Sequence, residues 1–370
     1  MLLFVAHDPG GMNVILPVVR YYVALQQKDA PRLRLMFAGA ARERAIKEGL
    51  SKFLIEIPVS PILGFPNEFE TTDSDVLGVF EEVNPTVVIT ATSYNSNIEW
   101  LAWKIAEMRG IPSVALFDYW GAYKERFEKN GAYVVPYHMV VTDEYMANSL
   151  HSYLGHIAPE RIVIAGNTNL EYLALKIQTG REYSQRTKEH GVQAIRFFSE
   201  NNWHYFPEGP INEFRLVEEM LTILHKEKTP IKRYIVRPHP MENRQEWEDF
   251  CKVVSLRFSD IQCEVDTQSF DEVLQDSSSI AVGITSMALI ELSVCGIPTF
   301  SYQVKIPKEA IPKAPLSEYG ISVLSTIEDF ITMCCMQRSG PVALSLYLQH
   351  HSPLSTIITH INQISSTTFI

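Results

Sequence analysis

The chain has only five cysteines in 370 residues: Cys251, Cys263, Cys295, Cys334 and Cys335. None forms a CxxC pair or has metal-ligand spacing, so neither a disulfide framework nor a zinc site is expected, and the odd count fits reduced thiols. Cys295 lies in an apolar helical run and reads as core. Long hydrophobic runs are also missing: no segment reaches the ~18 uninterrupted apolar residues of a membrane helix. The first residues read directly as a strand, with no basic stretch leading into a long apolar one, so no signal peptide is expected. Positive charge is scarce, with 32 Lys and Arg against 43 Asp and Glu and a formal net charge of -11. That excludes the basic footprint of a nucleic-acid binder. Local arginines and helix N-termini can still take an anionic ligand. There is no GxGxxG fingerprint with its partner acid, which argues against a dinucleotide site. Short-period repeats and low-complexity tracts are absent.

What remains is an ordinary globular composition, 46% hydrophobic and 20% charged, at a length that suggests two domains. Strands are predicted over 2–6, 32–38, 53–58, 86–90, 113–117, 137–142 and 161–165. Helices are predicted between them over 12–25, 42–49, 75–83, 97–109 and 143–153. Strands alternating with helices of this length indicate a doubly wound parallel sheet. A charged, polar stretch follows with no strand signal. The second series has strands over 192–199, 232–236, 261–264, 279–282 and 299–302, and helices over 213–225, 243–253, 270–276 and 286–294. The expected organisation is α/β: two Rossmann-like domains in tandem, 1–172 and 191–340, a linker at 173–190 and a helical tail at 341–370.

Several strand ends carry chemistry. Tyr234–Val236 leads into Arg237-Pro238-His239-Pro240, where prolines on both sides of His239 stiffen the backbone. An arginine and a histidine placed there suit a phosphate-bearing ligand, since open α/β sheets bind ligands outside their strands' carboxyl ends. After the strand at 279–282, Gly283-Ile284-Thr285-Ser286 opens a helix, offering hydroxyls, backbone N–H groups and the helix dipole to an anion. Glu291 follows on that helix, either facing a sugar or lying on a solvated face. In the first domain, His7-Asp8-Pro9-Gly10-Gly11-Met12-Asn13 joins strand to helix. Paired glycines let a ligand approach the backbone, and Asp8 is either a general base or a helix cap. Phe117-Asp118-Tyr119-Trp120 ends another strand. An aspartate against aromatic surface is suited to act as a base, or it is a turn residue under a core tryptophan. Ser93, Tyr94 and Asn95 border the same region. The polar loop Ser199-Glu200-Asn201-Asn202-Trp203-His204 is a further candidate contact.

The combination of Arg237-Pro238-His239-Pro240 with Gly283-x-Thr285-Ser286-x-x-x-x-Glu291 and Cys295-Gly296-Ile297-Pro298-Thr299 resembles the C-terminal domain of GT-B glycosyltransferases. The nearest in style are bacterial sialyl-, polysialyl- and CDP-glycerol-type transferases, and UDP-N-acetylglucosamine 2-epimerase shares the two-domain layout. Tyr137 to Asn169 also reads like the end of a GT-B N-terminal domain. The resemblance implies a ligand site in the cleft between the domains. His239, with Arg237, Gly283, Thr285 and Ser286, would hold the donor's phosphate, and Glu291 would face its sugar or ribose. The first domain would bind the acceptor through Gly10, Gly11, Asn13 and Ser93, with Asn201 as a further loop contact, and would supply Asp8 or Asp118 as the base. The resemblance implies a metal-independent enzyme that needs no cofactor beyond its nucleotide-sugar co-substrate. The implied function is transfer of a sugar to a hydroxyl of a saccharide or lipid-linked acceptor in bacterial surface polysaccharide synthesis. It would take place in the cytoplasm, with peripheral contact at the inner face of the membrane. A UDP-sugar 2-epimerase and a non-catalytic nucleotide- or glycan-binding protein are the alternatives.

Overall fold

The computed structural model describes residues 1–25, 32–62, 65–155, 157–179, 194–205, 208–276, 278–335 and 352–366. It divides into two compact units: one runs to Tyr172 and takes in the last helix, the other begins at Leu173. Each is a six-stranded parallel sheet with helices, a Rossmann-like α/β architecture.

In unit 1 the strands are β1 (Leu2–Ala6), β2 (Leu33–Phe37), β5 (Val87–Thr90), β6 (Ser113–Leu116), β9 (His138–Val141) and β10 (Ile162–Ile164), in the order β10-β9-β6-β5-β1-β2. Two antiparallel hairpins lie outside this sheet: β3 (Ser60–Ile62) with β4 (Phe65–Glu70), and β7 (Glu128–Lys129) with β8 (Ala132–Tyr133). Every residue of β1 and β5 is buried. Strands covered on both faces read as continuous apolar runs, which is why these two were legible. The chain leaves β1 toward β2 on one side and returns to β5 on the other, so the topological switch point lies between β1 and β5.

Unit 2 holds β11 (Ala194–Phe198), β12 (Arg233–Arg237), β13 (Gln262–Val265), β14 (Ser279–Gly283), β15 (Thr299–Tyr302) and β16 (Ser322–Leu324), in the order β13-β12-β11-β14-β15-β16. Its switch point lies between β11 and β14, which pair in parallel from Ala194↔Ser279 to Phe197↔Val282. Its core joins these strands to the amphipathic helix Glu213–Lys226 through Val217, Met220, Leu221 and Leu224, with Trp247 from the helix Arg244–Arg257.

The structure departs from the sequence reading in places. Residues 53–58 form no strand. A short 3-10 turn, Ser51–Phe53, is followed by one parallel bridge, Leu35↔Leu54. Pro58 has no N–H to extend a ladder. The β3–β4 hairpin was hidden by its prolines; Pro61 sits at a register shift where a missing donor costs little. Strand β16 and the helix Ile327–Cys334 also went unread. The expected linker at 173–190 begins inside the helix Thr168–Thr179, and its remainder, 180–190, lies outside the described residues. So do 192–193 of the expected strand at 192–199 and 341–351 of the expected tail. The tail's helix, Pro353–Ser366, belongs to unit 1: Ile357, Ile358, Ile361 and Ile364 form one apolar face in that unit's core. The Leu354 N–H donates to Glu171 Oε2 at 2.8 Å and the Tyr22 hydroxyl to Asn362 Oδ1 at 3.0 Å. Among the described residues no helix is long and apolar enough to cross a membrane.

Candidate functional site

Unit 1 gathers three carboxylates at the carboxyl ends of β1, β5 and β6. The segment expected as a glycine loop is largely helix: Pro9–Ala24 starts directly after Asp8, whose Oδ1 accepts from the Gly11 N–H at 2.9 Å. Proline at the first helical position is pre-organised for this, and the Asp8 cap satisfies an orphan donor. The glycines are needed for closeness rather than for a left-handed backbone. A Cβ on Gly10 would lie 2.3 Å from Asp118 Oδ2, and one on Gly11 2.4 Å from the Ala91 Cβ. Asp118 therefore abuts the first turn of the helix after β1, next to Asp8. Asn13 is half-buried one turn along.

Asp118 is held from below by Arg126, whose side chain is only 3% exposed and whose Nη1 donates to Asp118 Oδ1 at 3.1 Å. The same nitrogen donates to the Thr92 carbonyl and hydroxyl. The Trp120 indole N–H donates to Asp143, which caps the helix Glu144–Leu154. The third carboxylate, Glu99, was missed by sequence reasoning. It lies in the first turn of Ile98–Met108 and is fully buried. Its Oε1 accepts from the His7 N–H at 3.0 Å and the Ser93 hydroxyl at 2.7 Å, tying the β1 and β5 loops together across the switch point. Its Oε2 has no hydrogen-bond partner. In sequence, an acid in the first turn of an apolar helix reads only as a partner for the helix dipole.

Burial, then repulsion from Asp118, raises the Asp8 carboxyl to about 6, against the Gly11 hydrogen bond and Arg126. Burial, then the Asp8 charge, raises Glu99 to about 7. His7 is pushed down to about 4 by burial, and both its ring nitrogens lack partners. Two neighbouring carboxyls whose pKa values burial and mutual repulsion raise toward neutrality suit general acid–base chemistry. In the same unit a cavity of about 260 Å³ is lined by Phe69, Tyr94, Asn95, Asn97 and Glu125 among others.

In unit 2, Arg237 is the last residue of β12, but its guanidinium is engaged. Nη1 donates to Asp266 Oδ2 at 2.8 Å and to the Gln268 carbonyl at 2.9 Å. Asp266 also pairs with Arg196, which is 2% exposed and bonds Asp276 as well. Burial favours the neutral form of the His239 ring, lowering its pKa. Its Nδ1 accepts from the Met241 N–H at 3.3 Å, which puts the ring proton on Nε2 and leaves that N–H as a donor. Glu242 orders the turn, accepting from the His239 N–H at 2.5 Å, the Ser199 hydroxyl at 2.8 Å and the Trp203 indole at 3.1 Å. The polar loop after β11 contains a short helix, Asn202–Tyr205, and the buried Glu213 accepts its first N–H groups, from Asn202 and Trp203. Asn201 is 1% exposed with a left-handed backbone.

Gly283 ends β14, and a Cβ there would meet Leu289 and the Phe198 carbonyl, each at 3.1 Å. Ser286 caps the helix Met287–Val294 through its hydroxyl. Thr285 is fully buried. Its amide, with those of Ile284 and Ser286, points at the carboxylate of Glu200. Glu291 is half-buried on that helix. Among the described residues no group of three or more His, Cys, Asp or Glu is arranged to hold a metal ion.

No family profile matches the chain, and no curated protein sequence matches it. Solved structures do. The UDP-GlcNAc 2-epimerase of Methanocaldococcus jannaschii, in complex with UDP-GlcNAc and UDP, aligns over 98% of this chain and 99% of its own with a TM-score of 0.62 at 14% identity. Acinetobacter baumannii MurG aligns over 99% of both chains with a TM-score of 0.54 at 9% identity. Medicago truncatula UGT71G1, complexed with UDP-glucose, aligns over 99% of this chain and 98% of its own with a TM-score of 0.53 at 10% identity. At such identities the likeness establishes architecture: this chain has the GT-B layout of two Rossmann-like parallel-sheet units.

Proposed function

We propose that the protein is a nucleotide-sugar enzyme in which unit 1 supplies proton transfer and unit 2 binds the nucleotide's phosphates. The observation that carries this reading is the carboxylate cluster Asp8, Glu99 and Asp118 at the ends of β1, β5 and β6, with Asp8 raised to about 6 and Glu99 to about 7. Two of the structures similar in fold hold uridine diphosphate ligands, which supports the ligand class.

In the transferase form, an acceptor hydroxyl attacks the anomeric carbon of the donor sugar. The carbon–oxygen bond to the diphosphate breaks, the nucleoside diphosphate leaves, and the hydroxyl proton passes to Asp8 or Asp118. Such a positioned base contributes about 10² to 10⁴-fold. The His239 Nε2–H, together with the amides of Ile284–Ser286 once Glu200 has left them, would stabilise the charge that develops on the leaving phosphate. Bacterial surface polysaccharide is the acceptor class this reading carries forward.

A second reading, 2-epimerisation of a UDP-sugar, is favoured by one feature of unit 1. Removing and returning a proton at carbon needs two groups in opposite protonation states, and the Asp8–Glu99 pair provides them near neutrality. Proton NMR of UDP-N-acetylglucosamine with the protein separates the readings. A new UDP-sugar without acceptor means epimerisation; release of UDP only when a saccharide acceptor is added means transfer. An unchanged donor under both conditions refutes the proposal.

A further inference from the structure

The crevice at a topological switch point is where open α/β sheets take their ligands. In unit 2 a side chain of the protein itself, Glu200, spans that point between β11 and β14. Glu200 leaves the end of β11 and reaches the loop after β14. Its Oε1 accepts from three consecutive backbone N–H groups, Ile284 at 2.9 Å, Thr285 at 2.6 Å and Ser286 at 2.7 Å. Its Oε2 accepts from the Thr285 hydroxyl at 3.0 Å. Three successive amides converging on one oxygen at a helix N-terminus is the arrangement that cradles a phosphate oxygen. Here a carboxylate stands in that place.

The surroundings make this more than a capping interaction. The helix already has its own cap, because the Ser286 hydroxyl accepts from the Ala288 N–H. Asn201, the residue after Glu200, holds a left-handed backbone at φ 61. Outside glycine that conformation is uncommon and marks a position fixed by its surroundings. Its side chain is 1% exposed and its Nδ2 has no hydrogen-bond partner. Next to Glu200 in the chain, this buried orphan donor is a group that an incoming acceptor would satisfy.

We infer that the Ile284–Ser286 cradle is an anion site held self-occupied by Glu200, and that a phosphate-bearing ligand enters by displacing this carboxylate. Two anions cannot share the same three N–H groups, so ligand affinity is scaled down by the fraction of molecules in which Glu200 has swung out. Glu200 is thus the residue that sets how strongly unit 2 takes phosphate. This deepens the nucleotide-sugar reading, but its test does not depend on turnover.

The test uses the full chain with Glu200→Ala, which empties the cradle, and Glu200→Gln, which keeps the shape and removes the charge. Thermal stabilisation by inorganic phosphate and calorimetric titration with UDP are measured on both variants and the wild type. The expected result is phosphate stabilisation of Glu200→Ala that the wild type lacks, and UDP bound about tenfold or more tighter by Glu200→Ala, with Glu200→Gln between. Phosphate and UDP affinities equal to or below wild type in both variants, with native circular dichroism, overturn the inference. If Glu200→Ala does not fold, Glu200→Gln decides alone: tighter UDP binding supports the plug and unchanged or weaker binding refutes it. Absence of any nucleotide-sugar turnover would sink the functional reading while leaving the phosphate result to stand or fall by itself.

Discussion

Replacing Glu99 by glutamine should flatten the pH dependence of unit 1's stability. The substituted side chain keeps an acceptor oxygen for the His7 N–H and the Ser93 hydroxyl, and carries no charge. The sign follows from proton linkage. Below about pH 4.5 Glu99 is protonated whether the chain is folded or not, so it contributes no pH dependence. As pH rises, the unfolded chain ionises this group first while the folded protein retains the proton up to about 7. Stability is therefore lost across that window, and the loss is constant above it. A carboxyl raised from 4.5 to about 7 is penalised by about 3 kcal/mol once ionised, at ~1.4 kcal/mol per pH unit. Removing the charge also relieves Asp8, whose own elevation destabilises the fold in the same direction. The amide nitrogen introduced by the substitution takes the place of Oε2, which has no partner, so a pH-independent cost of about 1–3 kcal/mol is expected at every pH. Chemical denaturation of both proteins from about pH 4.5 to about pH 8 separates the two effects. The wild type should lose about 3 kcal/mol relative to Glu99→Gln across that range. A difference that stays constant with pH would refute the assignment of Glu99 as a proton-holding buried acid.

Three further substitutions probe other links. Gly10→Ala puts a methyl where Asp118 Oδ2 lies 2.3 Å away; turnover should fall at least about tenfold with little loss of melting temperature, because a misplaced catalytic group costs far more rate than stability. Full turnover in Gly10→Ala would remove Asp118 from the chemistry. Arg126→Met leaves Asp118 without its buried cation and should cost about 3–5 kcal/mol in denaturation. Ile361→Ala cuts into the fully buried face of the last helix and should destabilise unit 1 by about 2–5 kcal/mol, shifting the exchange protection of β1 and β5 but not that of β11 and β14.

The sheets were legible where burial dictates composition. Apolar runs such as Phe4–Ala6 and Ile280–Val282 announce strands covered on both faces, and the strand-end residues Asp8, Asp118, His239 and Thr285 stand out against them. Edges were harder: residues 53–58 look like a strand but make a single bridge, since nothing pairs beyond and Pro58 lacks a donor. Partners were harder still. Glu99 and Glu200 are ordinary acids in sequence, one on a helix and one in a loop. Only the strand order reveals that each reaches across its unit's switch point. Arg237 looked free for a ligand because Asp266, its partner, lies on a different strand end. The tail was expected to be helical, but nothing local says that its helix returns to unit 1.

The most direct test of the account is calorimetric titration of CMP, CDP, UDP and GDP into the wild type, His239→Ala and Glu200→Ala. One nucleotide should bind the wild type, bind Glu200→Ala more tightly, and lose its affinity in His239→Ala. No binding of any of the four to the wild type or to Glu200→Ala would contradict a nucleotide-sugar enzyme outright.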